Sequence, residues 1–307
     1  MYQALRPSHS AFVPVRNLRY HVLRWGAQTP APPVQPQLLM VHGWMDVGAS
    51  FQFMVDALPE PFLQNRLLLA PDWRGFGLTD SGGADNFWFA DYLADLDALI
   101  DHCSPDQPVD LLGHSMGGNV AMLYAGVRPG RIRKLVNLEG FGLPATQPSQ
   151  GAGRYAKWMD ELKALHRGDT ALKRYPDAAS VAQRLMKTNP RLGADKAAWL
   201  AQHWARENAA GQWEILGEAA HKITSAHLYQ LDQVLDIYTR ITAPVLAVEA
   251  DGDSLGQFWG GKYTMTEYRE RLKQVPQVQT AVIQDAGHML HHDQPQVLAE
   301  LVQAFLK

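Results

Sequence analysis

The chain has 307 residues, 28 Lys and Arg against 31 Asp and Glu, and a formal net charge of −3. That balance gives no case for nucleic acid or an anionic membrane surface as a partner, and no apolar run approaches the ~20 residues of a membrane span. A single cysteine, Cys103, excludes an intrachain disulfide and fits a reducing compartment. The residues from Met1 to Val15 hold no apolar signal core, so the expected location is the cytoplasm.

The length suits one large α/β domain with an inserted subdomain. Leu18 to Gly26 alternates loosely and ends on glycine, as an early strand does. A proline-rich loop follows, from Thr29 to Pro36. Gln37 to Gly43 is a continuous apolar run stopped by glycine, the pattern of a central parallel strand. Ala49 to Leu58 reads as a helix with Ser50 near its start, and Arg66 to Ala70 as a buried strand halted by Pro71. Phe89 to His102 is an amphipathic helix with Leu93, Leu96, Leu99 and Ile100 on one face. Strands follow at Val109 to Leu112, Ile132 to Leu138, Pro244 to Glu249 and Thr280 to Ile283, and a last helix from about Gln296 to Phe305. Strands alternating with helices predict a mostly parallel sheet covered on both faces. Residues 141–240 break that rhythm: four helical segments and no strand are expected, with Trp158, Trp199, Trp204 and Trp213 among them. The predicted organisation is a core of residues 1–140 and 241–307 with a helical lid at 141–240 over the C-terminal ends of the strands.

The run Gly113-His114-Ser115-Met116-Gly117 fits the G-x-S-x-G turn, with an apolar strand before it and an apolar helix after it. Such a turn strains the apex residue, and the glycines give the chain room to pack around it. Ser115 is the candidate nucleophile. A serine hydroxyl needs a base, and the base needs an orienting acid, in the chain order Ser, acid, His. His288 follows the last strand in Asp285-Ala286-Gly287-His288 and is the candidate base. His114, His42, His291 and His292 compete; the first is expected to point into the fold, the second to bond locally, and the last two to be solvated. His166, His203, His221 and His227 lie in the insertion, within reach of a substrate but out of order for the base. Asp253, after the penultimate strand, is the first choice of acid; Glu139, at the end of the strand before the insertion, is the second, and Asp251 the third. The oxyanion donors expected are the backbone N–H groups of Met116 and Trp44. Trp44, His114, Phe141 and Met289 are the expected neighbours of the substrate. Asp72-Trp73-Arg74-Gly75-Phe76-Gly77 opens no helix in the dinucleotide-binding manner, and Asp72 and Arg74 are expected to tie that loop down. No P-loop or metal-ligand spacing is visible, so neither a cofactor nor a metal is expected.

With His42-Gly43-Trp44, the Asp72–Gly77 loop, Gly113 to Gly118, Asp253 and Gly287-His288 in this order, the chain resembles the α/β-hydrolase superfamily over nearly its whole length. Val136-Asn137-Leu138-Glu139-Gly140-Phe141-Gly142 is similar to the serine-hydrolase-like and kraken-like branch. One departure is the stretch Leu255 to Gly261, longer than the usual loop after the acid. The resemblance implies no cofactor and a lid, inserted after the Glu139 strand, that shapes the pocket. The leading expectation is cleavage of a small carboxylic ester through an acyl-Ser115 intermediate, and the tryptophan-rich insertion suggests an apolar or aromatic acyl or alcohol group. Lactone, thioester, amide or carbon–carbon bond hydrolysis uses the same parts. A lyase of the hydroxynitrile-lyase type and a ligand-binding protein with an idle site are the readings from other classes. A carboxylate nucleophile, as in haloalkane dehalogenases and epoxide hydrolases, is absent where Ser115 stands.

Overall fold

The computed structural model describes residues 2–26 and 35–307, so most of the proline-rich loop lies outside the described residues. The chain runs β1 (His9–Val15), β2 (Leu18–Gly26), β3 (Leu38–Val41), α1 (Gln52–Ala57), α2 (Glu60–Gln64), β4 (Leu67–Pro71), α3 (Phe89–Cys103), β5 (Val109–His114), α4 (Met116–Val127) and β6 (Ile132–Leu138). The insertion then contributes α5 (Gly151–His166), β7 (Arg174–Tyr175), α6 (Ala178–Thr188), α7 (Ala194–Trp204), β8 (Ala205–Glu207), β9 (Trp213–Ile215) and α8 (Leu231–Thr239). The core resumes with β10 (Val245–Ala250), α9 (Ser254–Trp259), α10 (Met265–Leu272), β11 (Val278–Ile283), α11 (Leu290–Asp293) and α12 (Pro295–Leu306).

Eight strands form one sheet in the order β1-β2-β4-β3-β5-β6-β10-β11. From β4 to β11 all neighbours are parallel; β2 joins β4, and β1 joins β2, antiparallel. The central strands are apolar without alternation because both faces are covered. Their side chains still divide by the period of two. Leu38 and Met40 enter one core, with Phe53 and Met54 of α1 and Leu298 and Val302 of α12. Leu39 and Val41 enter the other, with Leu96 of α3, Val120 of α4 and Tyr268 of α10. β5 splits the same way, Leu112 to the first core and Leu111 to the second. A Leu→Ala truncation in either core costs about 2–5 kcal/mol.

Two expectations are corrected. The insertion is not wholly helical: β7, β9 and β8 form a small antiparallel sheet, and the helix expected from Asp195 to Glu207 ends at Trp204, its last residues joining β8. Strands of two or three residues are too short to show alternation. β1 lies on the sheet edge with several side chains in solvent, which dilutes its pattern. Cys103 ends α3, and burial pushes its thiol up to about 11, so it stays protonated at neutral pH.

Candidate active site

The parallel strands all deliver their C-terminal ends to one edge of the sheet, and the candidate residues gather there. Ser115 follows β5, Glu139 follows β6, the His42-Gly43 pair follows β3, and His288 lies beyond β11. Backbone bonds link these ends: Ser115 N–H donates to Leu138 O at 2.8 Å, and Glu139 N–H to Val248 O at 3.1 Å. Among the described residues five non-glycines have positive φ, and four of them flank this edge: Met45, Ser115, Glu139 and Asp285. Strain of that kind costs about 1–3 kcal/mol per residue and persists only where the surroundings enforce it.

Ser115 has φ 52° and ψ −115° and stands immediately before α4, with Met116 as the first helical residue. A Cβ on Gly117 would overlap the Val41 carbonyl, so the close approach of α4 to β3 demands glycine there. The turn carries the Ser115 hydroxyl to His288, whose Nε2 lies 2.9 Å from Ser115 Oγ. The other ring nitrogen, Nδ1, lies 3.3 Å from Glu139 Oε2. Glu139 is buried, and its second oxygen accepts from Ala250 N–H at 2.7 Å. Asn137 braces the turn beneath it, accepting from Gly140 N–H at 3.1 Å and donating to Gly140 O at 2.9 Å.

Asp253 is not at the histidine. Its carboxylate accepts from Gly256 N–H at 2.8 Å and caps α9, exposed to solvent. The longer stretch after Asp253 is the reason: it coils into a helix at once and takes the carboxylate as its N-cap. Asp251 accepts from the N–H groups of Asp285 and Ala286 at 3.0 and 3.1 Å, bonds that hold its carboxyl below the usual range. It therefore steadies the His288 loop from outside. Asp293 adds a bond from Gly287 N–H at 2.8 Å, and His114 Nε2 lies 2.7 Å from His288 O. Side chains thus hold the backbone on both sides of the His288 ring.

The side where oxyanion donors were expected is the loop after β3. Gly43 is so close to the nucleophile that a Cβ there would sit 3.1 Å from Ser115 Cβ. His42 is buried, and burial pushes its pKa down to about 4, so the ring is neutral. Its Nε2 accepts from Trp73 N–H at 2.9 Å, which leaves Nδ1–H to donate to Gly43 O at 2.7 Å. In a trans peptide the carbonyl and the following N–H point in opposite directions. The bond to Gly43 O therefore turns Trp44 N–H away from His42.

The four expected neighbours of the substrate separate. Trp44 is 52 % exposed, and its Nε1–H donates to His221 O in the insertion at 3.2 Å. Met289 is half-buried beside His288. His114 and Phe141 are both buried, His114 in the inward orientation expected of it and Phe141 away from the open edge where a substrate neighbour was expected. His114 points under the nucleophile turn, and Phe141 packs edge-on to Tyr268 with ring centroids 4.9 Å apart. Phe258 of α9, which the sequence did not single out, is 61 % exposed and stands 4.8 Å from the His288 ring. His291 and His292 are also corrected: both are buried, against Phe51 and Phe53, because α11 is a short turn folded under α1. In the Asp72 loop, Asp72 accepts from Gly48 and Leu78 N–H groups at 2.8 and 2.9 Å, and Arg74 bonds Asp95 at 2.7 Å. A cavity of about 530 Å³ lined by Phe12, Arg19, Leu78, Asp80, Arg206 and Glu214 touches none of the Ser115 cluster.

A strained serine turn between a buried parallel strand and a helix, with the other reactive groups on the same sheet edge, is the architecture of an α/β hydrolase. The family model described as the alpha/beta hydrolase fold matches residues 36–295, and the chain belongs to that family. It is 24 % identical over 300 residues to a serine hydrolase-like protein of Danio rerio, covering 96 % of this chain and 86 % of that one. It is likewise 24 % identical over 298 residues to the sn-1-specific diacylglycerol lipase ABHD11 of Mus musculus, covering 94 % of this chain and 85 % of that one. Among solved structures, a thioesterase domain from the curacin biosynthetic pathway shares the fold, with TM-score 0.80, 24 % identity and coverage of 97 % and 99 %. The chain is a hydrolase of this superfamily. Among the described residues no helix is long and apolar enough to cross a membrane.

Proposed function

We propose that the protein is a serine esterase that cleaves a small carboxylic ester bearing an apolar group, with Ser115 as nucleophile, His288 as base and Glu139 as orienting acid. The observation that carries this reading is the continuous relay from Ser115 Oγ through the His288 ring to Glu139 Oε2, at 2.9 and 3.3 Å. Ser115 Oγ attacks the ester carbonyl while Nε2 takes its proton. The tetrahedral oxyanion receives the N–H groups of Met116 and Trp44. Nε2–H then protonates the departing alcohol, and the acyl group remains on Ser115. Water, deprotonated by Nε2, attacks the acyl carbon; the tetrahedral adduct then collapses, Nε2–H returns its proton to Ser115 Oγ, and the acid leaves. Glu139 stabilises the imidazolium formed in each half and fixes the tautomer. The 3.3 Å separation is long for a charge-assisted bond, as is common before substrate binds, and shortens when the ring becomes cationic.

Trp44 and Phe258 give the entrance an apolar, aromatic rim beside the relay, which favours an apolar acyl or alcohol group. Residues 141–240 serve as the lid, with Trp44 joined to it at His221. The test is a turnover panel of esters, lactones, thioesters and amides of graded acyl length on wild type and Ser115→Ala. Ester turnover that drops by several orders of magnitude in a folded Ser115→Ala is expected. Near-wild-type turnover of a simple aryl ester by that variant would sink the mechanism.

A further inference from the structure

Beneath the nucleophile turn, Asp46 Oδ2, His114 Nδ1 and His291 Nδ1 are buried with no hydrogen-bond partner, as is His292 Nδ1 on the neighbouring residue. The first three come from three separate segments, the loop after β3, the end of β5 and the short α11. Their residues are 6 %, 2 % and 0 % exposed. Oxygen or nitrogen atoms of the three side chains lie within 4.8 Å of one another. An unpartnered polar atom at such depth costs about 1–3 kcal/mol, and three that converge call for a shared partner.

The chemistry of these atoms defines that partner. His114 Nε2 faces the His288 carbonyl at 2.7 Å, and a carbonyl only accepts. Nε2 therefore carries the proton, and Nδ1 presents a lone pair to the gap. His291 has its Nε2 3.3 Å from Ser50 Oγ, which leaves its Nδ1 as the unengaged nitrogen. Both imidazoles are buried away from water. Asp46 adds a carboxylate oxygen. Two neutral imidazoles and one carboxylate are a ligand set for divalent transition metals.

We propose that Asp46, His114 and His291 form a buried site for one divalent transition-metal ion of the zinc type, under the turn that carries Ser115. The ion joins three distant segments, and through His114 it stiffens the bond to the His288 carbonyl. Its effect is on the stability of the sheet edge that holds the relay, and the proposal stands whether or not the esterase reading does.

The site is closed, so the ion enters as the chain folds. The experiment unfolds the full chain in denaturant with chelator, refolds it with or without Zn²⁺, and removes loose metal by gel filtration. Bound zinc and the thermal midpoint are then measured. One Zn²⁺ per chain and a midpoint raised by about 4 °C or more are expected. Asp46→Asn and His291→Gln should lose the ion, while Asp253→Asn keeps it. X-ray absorption at the zinc edge of the refolded wild type should show imidazole and oxygen ligands, a readout that does not depend on the variants folding. A wild type that holds no zinc and gains no stability overturns the proposal and leaves a shared water as the partner. Equal zinc on folded Asp46→Asn and His291→Gln, or an absorption spectrum without imidazole, overturns it as well.

Discussion

Glu139 sits at φ 54°, a conformation that few non-glycine residues accept, and does so with its carboxylate buried against a histidine. Its burial and its bond from Ala250 N–H fix one oxygen and leave the other facing His288. Glu139→Gln keeps the shape and removes the charge that offsets the imidazolium. Its kcat on an ester should fall roughly 10³- to 10⁴-fold, the scale set by removal of the orienting acid in serine hydrolases. Asp253→Asn should leave kcat within a factor of two or so, because asparagine caps a helix about as well as aspartate. Equal losses in the two variants would refute the assignment of Glu139. That Ser115 and His288 meet was legible in the sequence because the turn motif and the chain order constrain them. Which carboxylate meets the histidine was not, since Glu139 and Asp253 each follow a strand in the permitted order. What separates them is local: the chain after Asp253 closes into a helix that engages its carboxylate, while the turn braced by Asn137 turns Glu139 inward.

At the scale of elements, one tight constraint is the packing of α4 on β3 and β5. Gly117→Ala sets a methyl group against the Val41 carbonyl, a backbone atom with nowhere to go. The variant should unfold at markedly lower denaturant or fail to accumulate as soluble protein, read by urea titration. The insertion is fastened differently. His221 lies between the rings of Phe76 and Phe87, with centroid distances of 3.6 and 3.7 Å and planes nearly parallel. His221→Ala removes both stacks, and limited proteolysis should then cut the chain near residues 219–222 faster while β-sheet circular dichroism is unchanged. Acceleration no greater than in wild type would show that the stack does not hold the insertion. The four helices of the insertion were legible from their breakers, whereas its small sheet was not. The buried state of His291 and His292 was also hidden, because a four-residue helix has no period from which to read a face.

Across the whole molecule, the two cores on either face of the sheet follow from simple alternation in the strands, and this part of the fold was readable before any coordinates. The burial of His42 and His221 was not, and these two rings shape the response to acid. Burial pushes His42 down to about 4 and His221 down to about 3, against about 6.5 for a free histidine. Above pH 6.5 neither the folded nor the unfolded chain protonates these rings, so their contribution is complete. As pH falls below that value the unfolded chain binds protons that the folded chain refuses, and stability drops. The slope is about 1.4 kcal/mol per pH unit for each such histidine, down to its folded pKa. Urea midpoints between pH 7 and pH 4 should fall steadily in wild type and less steeply in His221→Gln. A midpoint independent of pH over that range would contradict the buried, neutral state of these rings.

Trp44 contributes through two of its atoms in opposite directions. Its backbone N–H lies on the peptide that His42 orients beside Ser115, and its indole N–H grips the carbonyl of His221. A swing of the insertion that carries His221 outward must break that grip and free the tryptophan. On the proposed reading of residues 141–240 as a lid, opening would then free the indole while the bond from His42 to Gly43 O keeps the backbone N–H of the same residue in place.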